Sequence, residues 1–149
     1  MLTLREELFL LGHDEEQRFR SMIHSAALSV GLAGASLATL LIAGRARMSD
    51  GHLIALDRTD HTPTGDARAD SAVRLLGGTR AAWPVAELLT TLTADLYDLT
   101  RDSLVASGVL QTFPRRFGIG RTGLGLTDPA TTIRAVATQL GDVATSVYR

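Results

Sequence analysis

SAALSVGLAGASLATLLIA, residues 25–43, contains no charged side chain and decides the fold. Its length suits either a helix that crosses a membrane or the central helix of a soluble bundle. The soluble interpretation is favoured because Ala, Gly, Ser and Thr make insertion into lipid only marginally favourable, and because arginines flank the run on both sides. The small residues Ala27, Gly31 and Ala35 leave a shallow groove where a neighbouring helix can approach closely. We therefore expect a buried helix at the centre of the domain.

The composition of the 149-residue chain limits the class of protein. The net charge is −1, so no global attraction draws the chain to nucleic acid or to anionic lipid. The absence of cysteine excludes disulfides, thiolate zinc sites and cysteine nucleophiles. The N-terminus has no basic region before an apolar stretch, so we expect no signal peptide and a cytoplasmic protein. All cations are arginine, and Lys and Asn are both absent, which is typical of a GC-rich bacterial genome.

Cap and turn signals divide the chain into short elements. Thr3 and Glu6 form a capping-box pattern that predicts a first helix to about Leu11, ended by Gly12. The charged residues 13–20 are interpreted as a loop. Also predicted are the apolar helix over 22–43, a hairpin over 45–57 with its turn at 49–51, a helix over 66–76 capped by Asp66, a helix over 85–107 with Pro84 in its first turn, a strand over 109–113, a glycine-rich hairpin over 114–126, and a last helix from Asp128-Pro129. The predicted fold class is mainly α: a single helical-bundle domain around one buried apolar helix, with two small β-hairpins.

Four blocks of sequence follow one another in order along the chain. They are LTLREELFLLG at 2–12; GLAG at 31–34 with Leu37, Leu40 and Gly44-Arg45; PTGD at 63–66; and LVASGVL at 104–110 followed by Leu126-Thr127-Asp128. In this order and spacing they resemble the Golgi phosphoprotein 3 family, lipid-binding Golgi adaptors with shorter bacterial relatives. The resemblance implies one family domain over residues 1–149. Because the family domain normally continues for several more helices, it also implies a short or truncated member that lacks those C-terminal helices.

The resemblance also implies a ligand. Eukaryotic members are peripheral membrane proteins that bind phosphatidylinositol 4-phosphate through a Trp, an Arg and two further basic residues. These positions correspond here to His24, Ala33, Ala94 and Tyr97, and none keeps the family's residue type. A phosphomonoester needs cationic donors in a fixed geometry. We therefore expect binding to anionic phospholipid without a strong preference for this phosphoinositide.

The glycine-rich hairpin is the candidate lipid-binding element. Arginines near an anionic surface contribute about 1 kcal/mol each, so three give weak, salt-sensitive docking. The family resemblance points to the same hairpin, which contacts membrane or another subunit, and it implies a homo-oligomer. The alternative is a solvated hairpin whose arginines serve solubility. The predicted lipid-binding residues are Arg115, Arg116, Phe117, Ile119 and Arg121.

An acidic group supports an alternative function. Asp95, Asp98 and Asp102 share one face of the predicted helix, where carboxylates could hold Mg²⁺ and a diphosphate. This would suit an enzyme acting on a prenyl diphosphate, with the bundle enclosing an apolar small molecule. A solvated acidic face is favoured instead, because the leucines occupy the opposite side. The histidines have no metal-ligand spacing, and no nucleophile elbow or phosphate loop is present. We expect no metal, no cofactor and no enzymatic activity.

A helix, a strand and an arginine-bearing hairpin also occur together in winged-helix DNA-binding proteins. The helix over 85–107 carries three aspartates against Arg101 alone, so it would repel phosphate. We therefore expect no nucleic-acid partner. The expected partners are an anionic membrane surface and a second copy of the chain.

Overall fold

The apolar stretch forms α2, Ser25–Ile42, the helix against which the others pack. The computed structural model describes residues 1–14, 19–78, 80–113, 123–129, 132 and 136–139. α2 contacts α1, Leu4–Leu11; α3, Ala67–Leu76; α4, Val85–Thr93; and α5, Leu96–Ala106. The fold is mainly α.

The burial expected for α2 is correct for its middle part. Leu28, Leu32, Leu37 and Leu40 belong to the core, whereas the first turn, Val30 and the last two residues are exposed. By length and hydropathy alone the helix could cross a membrane, and 44% of it is buried inside the domain. α2 is therefore apolar all round but covered by protein on only part of its surface within the described residues.

α1 packs on the small residues of α2. Thr3 and Glu6 form the predicted capping box, in which each side chain bonds the backbone N–H of the other residue. A Cβ at Gly31 would lie 3.4 Å from Leu8 Cδ2, and a Cβ at Gly12 would lie 3.1 Å from Leu28 Cδ1. The predicted close approach at Gly31 is confirmed.

The single helix predicted over residues 85–107 is wrong. α4 ends at Thr93, and α5 begins at Leu96 after Asp95, which has a left-handed φ of 55°. The leucine pattern continues through the break, so periodicity alone does not reveal it. Three threonines near the end of α4 donate their hydroxyls to carbonyls four residues earlier, which weakens a helix, and Asp tolerates the left-handed region. Arg68 of α3 donates to the carbonyl of Ala94 at 3.0 Å.

One predicted hairpin is part of a larger sheet. β3, Ala46–Ser49, pairs with β4, His52–Ala55, around Asp50 and Gly51, whose φ angles of 49° and 73° suit a tight hairpin turn. β5, Ala82–Pro84, pairs with the other edge of β4 and makes a three-stranded sheet. Pro84 precedes α4 as its N-cap residue instead of lying in its first turn. Proline is tolerated on this edge strand, and it holds the preceding residue extended.

Two further pairs of strands complete the described sheets. β1, His13–Asp14, pairs with β2, Arg20–Ser21, where a loop was expected. β6, Leu110–Phe113, corresponds to the strand predicted over 109–113. It pairs with β7, Gly123–Leu126, which lies in the segment predicted as a separate hairpin over 114–126. Instead of two small hairpins, the described residues thus form two two-stranded sheets and one three-stranded sheet, which contains the first predicted hairpin. The last helix begins as predicted, since Thr132 N–H donates to Asp128 O at 3.1 Å.

A buried polar network ties four helices together. Asp66, the N-cap of α3, is fully buried and accepts from Arg5 Nε at 3.2 Å and from Ser36 Oγ at 2.8 Å. Arg5 Nη1 also donates to Thr100 Oγ1 of α5 at 2.6 Å. Because each charge is paired and further hydrogen-bonded, the network fixes α1, α2, α3 and α5 relative to one another.

Candidate functional site

An open basin of about 960 Å³ lies between the start of α2, α5 and the β6–β7 hairpin. β2 and α2 contribute three hydroxyls to its lining, from Ser21, Ser25 and Ser29. The hairpin contributes Thr112 and Leu124 on the opposite side. The start of α2 and the hairpin, which are far apart in the sequence, thus share one concave surface that we call the basin.

The charged side chains of the basin are paired with one another. Arg101 lies 2.8 Å from Asp98 Oδ1 and 2.9 Å from Asp102 Oδ1. The hydrogen bond to Asp102 is the largest influence that raises the pKa of Arg101, so this guanidinium stays charged. Two carboxylates against one cation leave this group with net negative charge. The basin therefore offers no uncompensated cation to a phosphomonoester among its described residues.

Tyr97 is fixed in the basin by a buried histidine. His13 Nδ1 lies 2.6 Å from Phe9 O, and His13 Nε2 lies 2.8 Å from the Tyr97 hydroxyl. A carbonyl only accepts, so Nδ1 carries the proton of the neutral ring and Nε2 accepts from Tyr97. Burial lowers the pKa of His13, which the Phe9 hydrogen bond partly opposes, and the ring stacks on Phe19 at 4.6 Å. His13 therefore acts as a neutral support for the Tyr97 ring.

The structure does not bring the four family head-group positions into one site. Tyr97 lines the basin, and His24, the N-cap of α2, immediately precedes the lining residue Ser25. Ala33 is fully buried in the core. Ala94 is exposed in the break between α4 and α5. The cationic geometry that these positions would require is absent from the described residues.

Exposed apolar side chains lie next to the basin at the start of α2. Met22 and Ile23, between Ser21 and the start of α2, are 63% and 44% exposed, next to the exposed Arg20. Phe113 at the end of β6 is 48% exposed. It alternates with the lining residue Thr112 and packs its ring over Gly125, so it lies on the opposite face of the hairpin from the basin. Sequence reasoning singled out the hairpin but missed Met22 and Ile23, which it assigned to the helix. The sequence carries no strong signal for this boundary, because the N-cap residue is His24 and histidine is not among the preferred N-cap residues.

The predicted lipid-binding residues all lie outside the described residues. These residues, which come after Phe113-Pro114 in the sequence, are Arg115, Arg116, Phe117, Ile119 and Arg121.

The three aspartates of the alternative magnesium site lie partly outside α5 and partly in ion pairs. Asp95 lies in the link before α5, so the three aspartates do not share one continuous helix. Asp98 and Asp102 are held by Arg101. Across the described ranges, no group of three His, Asp or Glu side chains is arranged to hold a metal ion.

Comparison with models of known protein families identifies the family of this chain. The family model for Golgi phosphoprotein 3 matches residues 4–147, nearly the whole chain. The chain belongs to the Golgi phosphoprotein 3 family. The resemblance seen in the four sequence blocks is thereby confirmed. No curated protein matches the chain. In this Golgi phosphoprotein 3 family member, Arg5 and Asp66 of the buried network come from two of those blocks.

Proposed function

We propose that this chain is a cytoplasmic, peripheral membrane protein that docks on an anionic bilayer with the rim of the basin. The observation that carries the proposal is the exposure of Met22 and Ile23 beside the exposed Arg20, next to the lining residue Ser21; these three residues are called the rim. Large apolar side chains exposed beside a concave surface favour an interaction site. Family membership supports the same function.

The rim combines two kinds of attraction. Met22 and Ile23 supply apolar surface that a bilayer interface would remove from water. Arg20 supplies positive charge at the rim. Arg115, Arg116 and Arg121, which lie outside the described residues, are proposed to add further positive charge to the docking surface. Each arginine near an anionic surface contributes about 1 kcal/mol, and this part is screened by salt. Binding should therefore have a salt-sensitive and a salt-insensitive component.

The head-group preference follows from the basin's charges. Arg101 is already paired with two aspartates, and Ala33 and Ala94 supply no donor. The proposed ligand is anionic phospholipid in general, phosphoinositides included, without selective recognition of phosphatidylinositol 4-phosphate.

The deciding experiment is co-sedimentation with vesicles at low and high salt. The wild type is compared with a variant carrying Arg115→Glu, Arg116→Glu and Arg121→Glu, on vesicles of phosphatidylcholine with and without phosphatidylserine. Wild-type binding should require phosphatidylserine and should weaken as salt rises. The folded triple variant should not bind, because three attractions become repulsions of similar size. A wild type that ignores both vesicle types, or a folded variant that binds equally well, would overturn the proposal.

Self-association belongs to the proposal as well, because the family resemblance implies that this hairpin contacts either a membrane or another subunit. Sedimentation velocity over a range of protein concentrations tests it. A species heavier than one chain should appear as concentration rises, and a single monomeric species at every concentration would contradict it.

The alternative, a magnesium-dependent enzyme acting on a prenyl diphosphate, gains no support from the described residues. The apolar groove between α1 and α2 is about 280 Å³ and open, and it lies beside Leu8 and Gly34, outside the basin that contains Asp98 and Asp102.

A further inference from the structure

A second, smaller pocket lies on α3, among residues that the proposed function does not use. Its volume is about 210 Å³, and it is bounded by the loop after β4 and by the outer turn of α3. Arg45, His61, Asp70 and Arg74 provide its charged or titratable lining, and Pro63 and Val73 provide its apolar walls. We call it the α3 pocket.

The loop side of the α3 pocket is held by a dense set of hydrogen bonds. Arg45 Nη1 donates to Thr62 O at 2.7 Å, and Arg45 Nε lies 3.2 Å from Asp60 Oδ2. Thr64 donates its amide and its hydroxyl to Asp70 Oδ1 at 2.9 and 2.8 Å. These bonds fix both ends of the loop segment that carries His61. The pocket is therefore formed in advance of any ligand, which lowers the entropy cost of binding.

Arg74 and His61, at the mouth of the pocket, have N–H donors that form no hydrogen bond with the described residues. Arg74 donates from Nη2 to Ser71 Oγ at 3.0 Å, and among the described carboxylates none forms an ion pair with it. A guanidinium has five N–H donors in a planar fork. The exposed imidazole of His61 has no hydrogen-bond partner within the part of the chain that the structure describes. Both groups line the same pocket.

We propose that the α3 pocket binds a small oxyanion, a phosphate or carboxylate group, between Arg74 and His61. A guanidinium fork matches two oxygens of such a group. The volume equals roughly seven waters at about 30 Å³ each, which suffices for phosphate or a short organic acid. Pro63 and Val73 would contact the apolar part of an organic acid.

Asp70 opposes the anion and thereby provides a test. One oxygen of its carboxylate is held by Thr64, and its negative charge lies in the pocket with Arg74 one helical turn away. Arg45 is balanced by Asp60, so the anion is attracted chiefly by Arg74. Replacing Asp70 by Asn removes the repulsion while an amide oxygen can still accept from Thr64.

The test is a titration of the full chain with sodium phosphate at constant ionic strength, followed by NMR at the His61 ring and the Arg74 amide. The wild type should show saturable shifts, and Arg74→Gln should weaken binding by at least about tenfold. Asp70→Asn should tighten binding. The matched control Arg47→Gln, an exposed arginine on β3, should bind like the wild type.

Unsaturable shifts in the wild type, or equal affinities for wild type and folded Arg74→Gln, would overturn the proposal. His61→Gln gives an independent variant at the pocket mouth and should also weaken binding, and unchanged affinity there would contradict the role of His61. The phosphate titration and the vesicle co-sedimentation test different surfaces of the protein. A chain that does not bind phosphate at the α3 pocket can still bind vesicles through the rim, and a chain that does not bind vesicles can still bind phosphate.

Discussion

Asp66 caps α3 and at the same time neutralises Arg5 of α1, and neither side chain reaches solvent to any significant extent. Removing one member of a buried ion pair leaves the other charge uncompensated, at a cost of about 3–5 kcal/mol. We predict that Asp66→Ala lowers the free energy of unfolding by about this amount, measured by urea denaturation.

The control for Asp66 is the exposed pair of Arg80 and Glu87, at 2.8 Å. Glu87→Ala should cost less than about 1 kcal/mol, since exposed pairs contribute little. Equal losses for the two variants would show that the buried network does not hold the helices together.

Glu7 makes stability depend on pH. It is fully buried, and its carboxylate oxygens have no partner among the described residues, so burial raises its pKa. The folded state thus keeps a proton that the unfolded state loses at a lower pH. The stability that Glu7 contributes is complete below the pKa of Glu7 in the unfolded chain. It is lost as the pH rises through the higher pKa of Glu7 in the folded protein.

We therefore predict that Glu7→Gln gains stability relative to wild type as pH is raised from about 4.5. Urea midpoints across the pH range measure this. The exposed, paired Glu87→Gln serves as control and should not show the same rise. A constant difference between Glu7→Gln and wild type at all pH values would contradict the assignment.

α2 should behave as a domain helix and not as a membrane anchor. It contacts four other helices and carries much of the core. We predict that the expressed chain is soluble without detergent and that carbonate releases any membrane-bound fraction. Retention in the integral-membrane fraction after carbonate would show that α2 crosses the bilayer.

Met22 and Ile23 should account for much of the salt-insensitive membrane binding. We predict that Met22→Ser combined with Ile23→Ser weakens vesicle binding at high salt by at least about tenfold, because two apolar side chains no longer leave water. The control is Met48→Ser combined with Leu56→Ser, which removes similarly exposed residues on β3 and just after β4. This control should not weaken vesicle binding at high salt. If both double variants lost vesicle binding equally, binding would not depend specifically on Met22 and Ile23.

Head-group selectivity should be weak. We predict similar affinities for vesicles containing phosphatidylinositol 4-phosphate and for vesicles brought to the same surface charge with phosphatidylserine. The reason is that Ala33 and Ala94 supply no cation and Arg101 is already paired. Tight binding confined to the phosphoinositide would mean that other arginines recognise it.

Local signals predicted much of the fold. The capping box at Thr3, the cap at Asp66 and the turn at Asp50-Gly51 each depend on neighbouring residues and are found where expected. β5 and the break at Asp95 depend on tertiary partners, β4 and Arg68, which periodicity does not encode. The same limit applied to the basin. The aspartates of α5 were identified, but their pairing with Arg101 and the exposure of Met22 follow from packing.

The contact between Arg5 and Thr100 spans 95 residues and sets an order of events during synthesis. The N-terminal helix leaves the ribosome first, yet its Arg5 guanidinium finds Asp66 only when α3 has been made and Thr100 only when α5 has been made. Until α5 emerges, the first helix cannot be locked in place, and its apolar side stays open to other contacts. Locking of the first helix is therefore a late step, because the last contact of one early charge has to wait for α5.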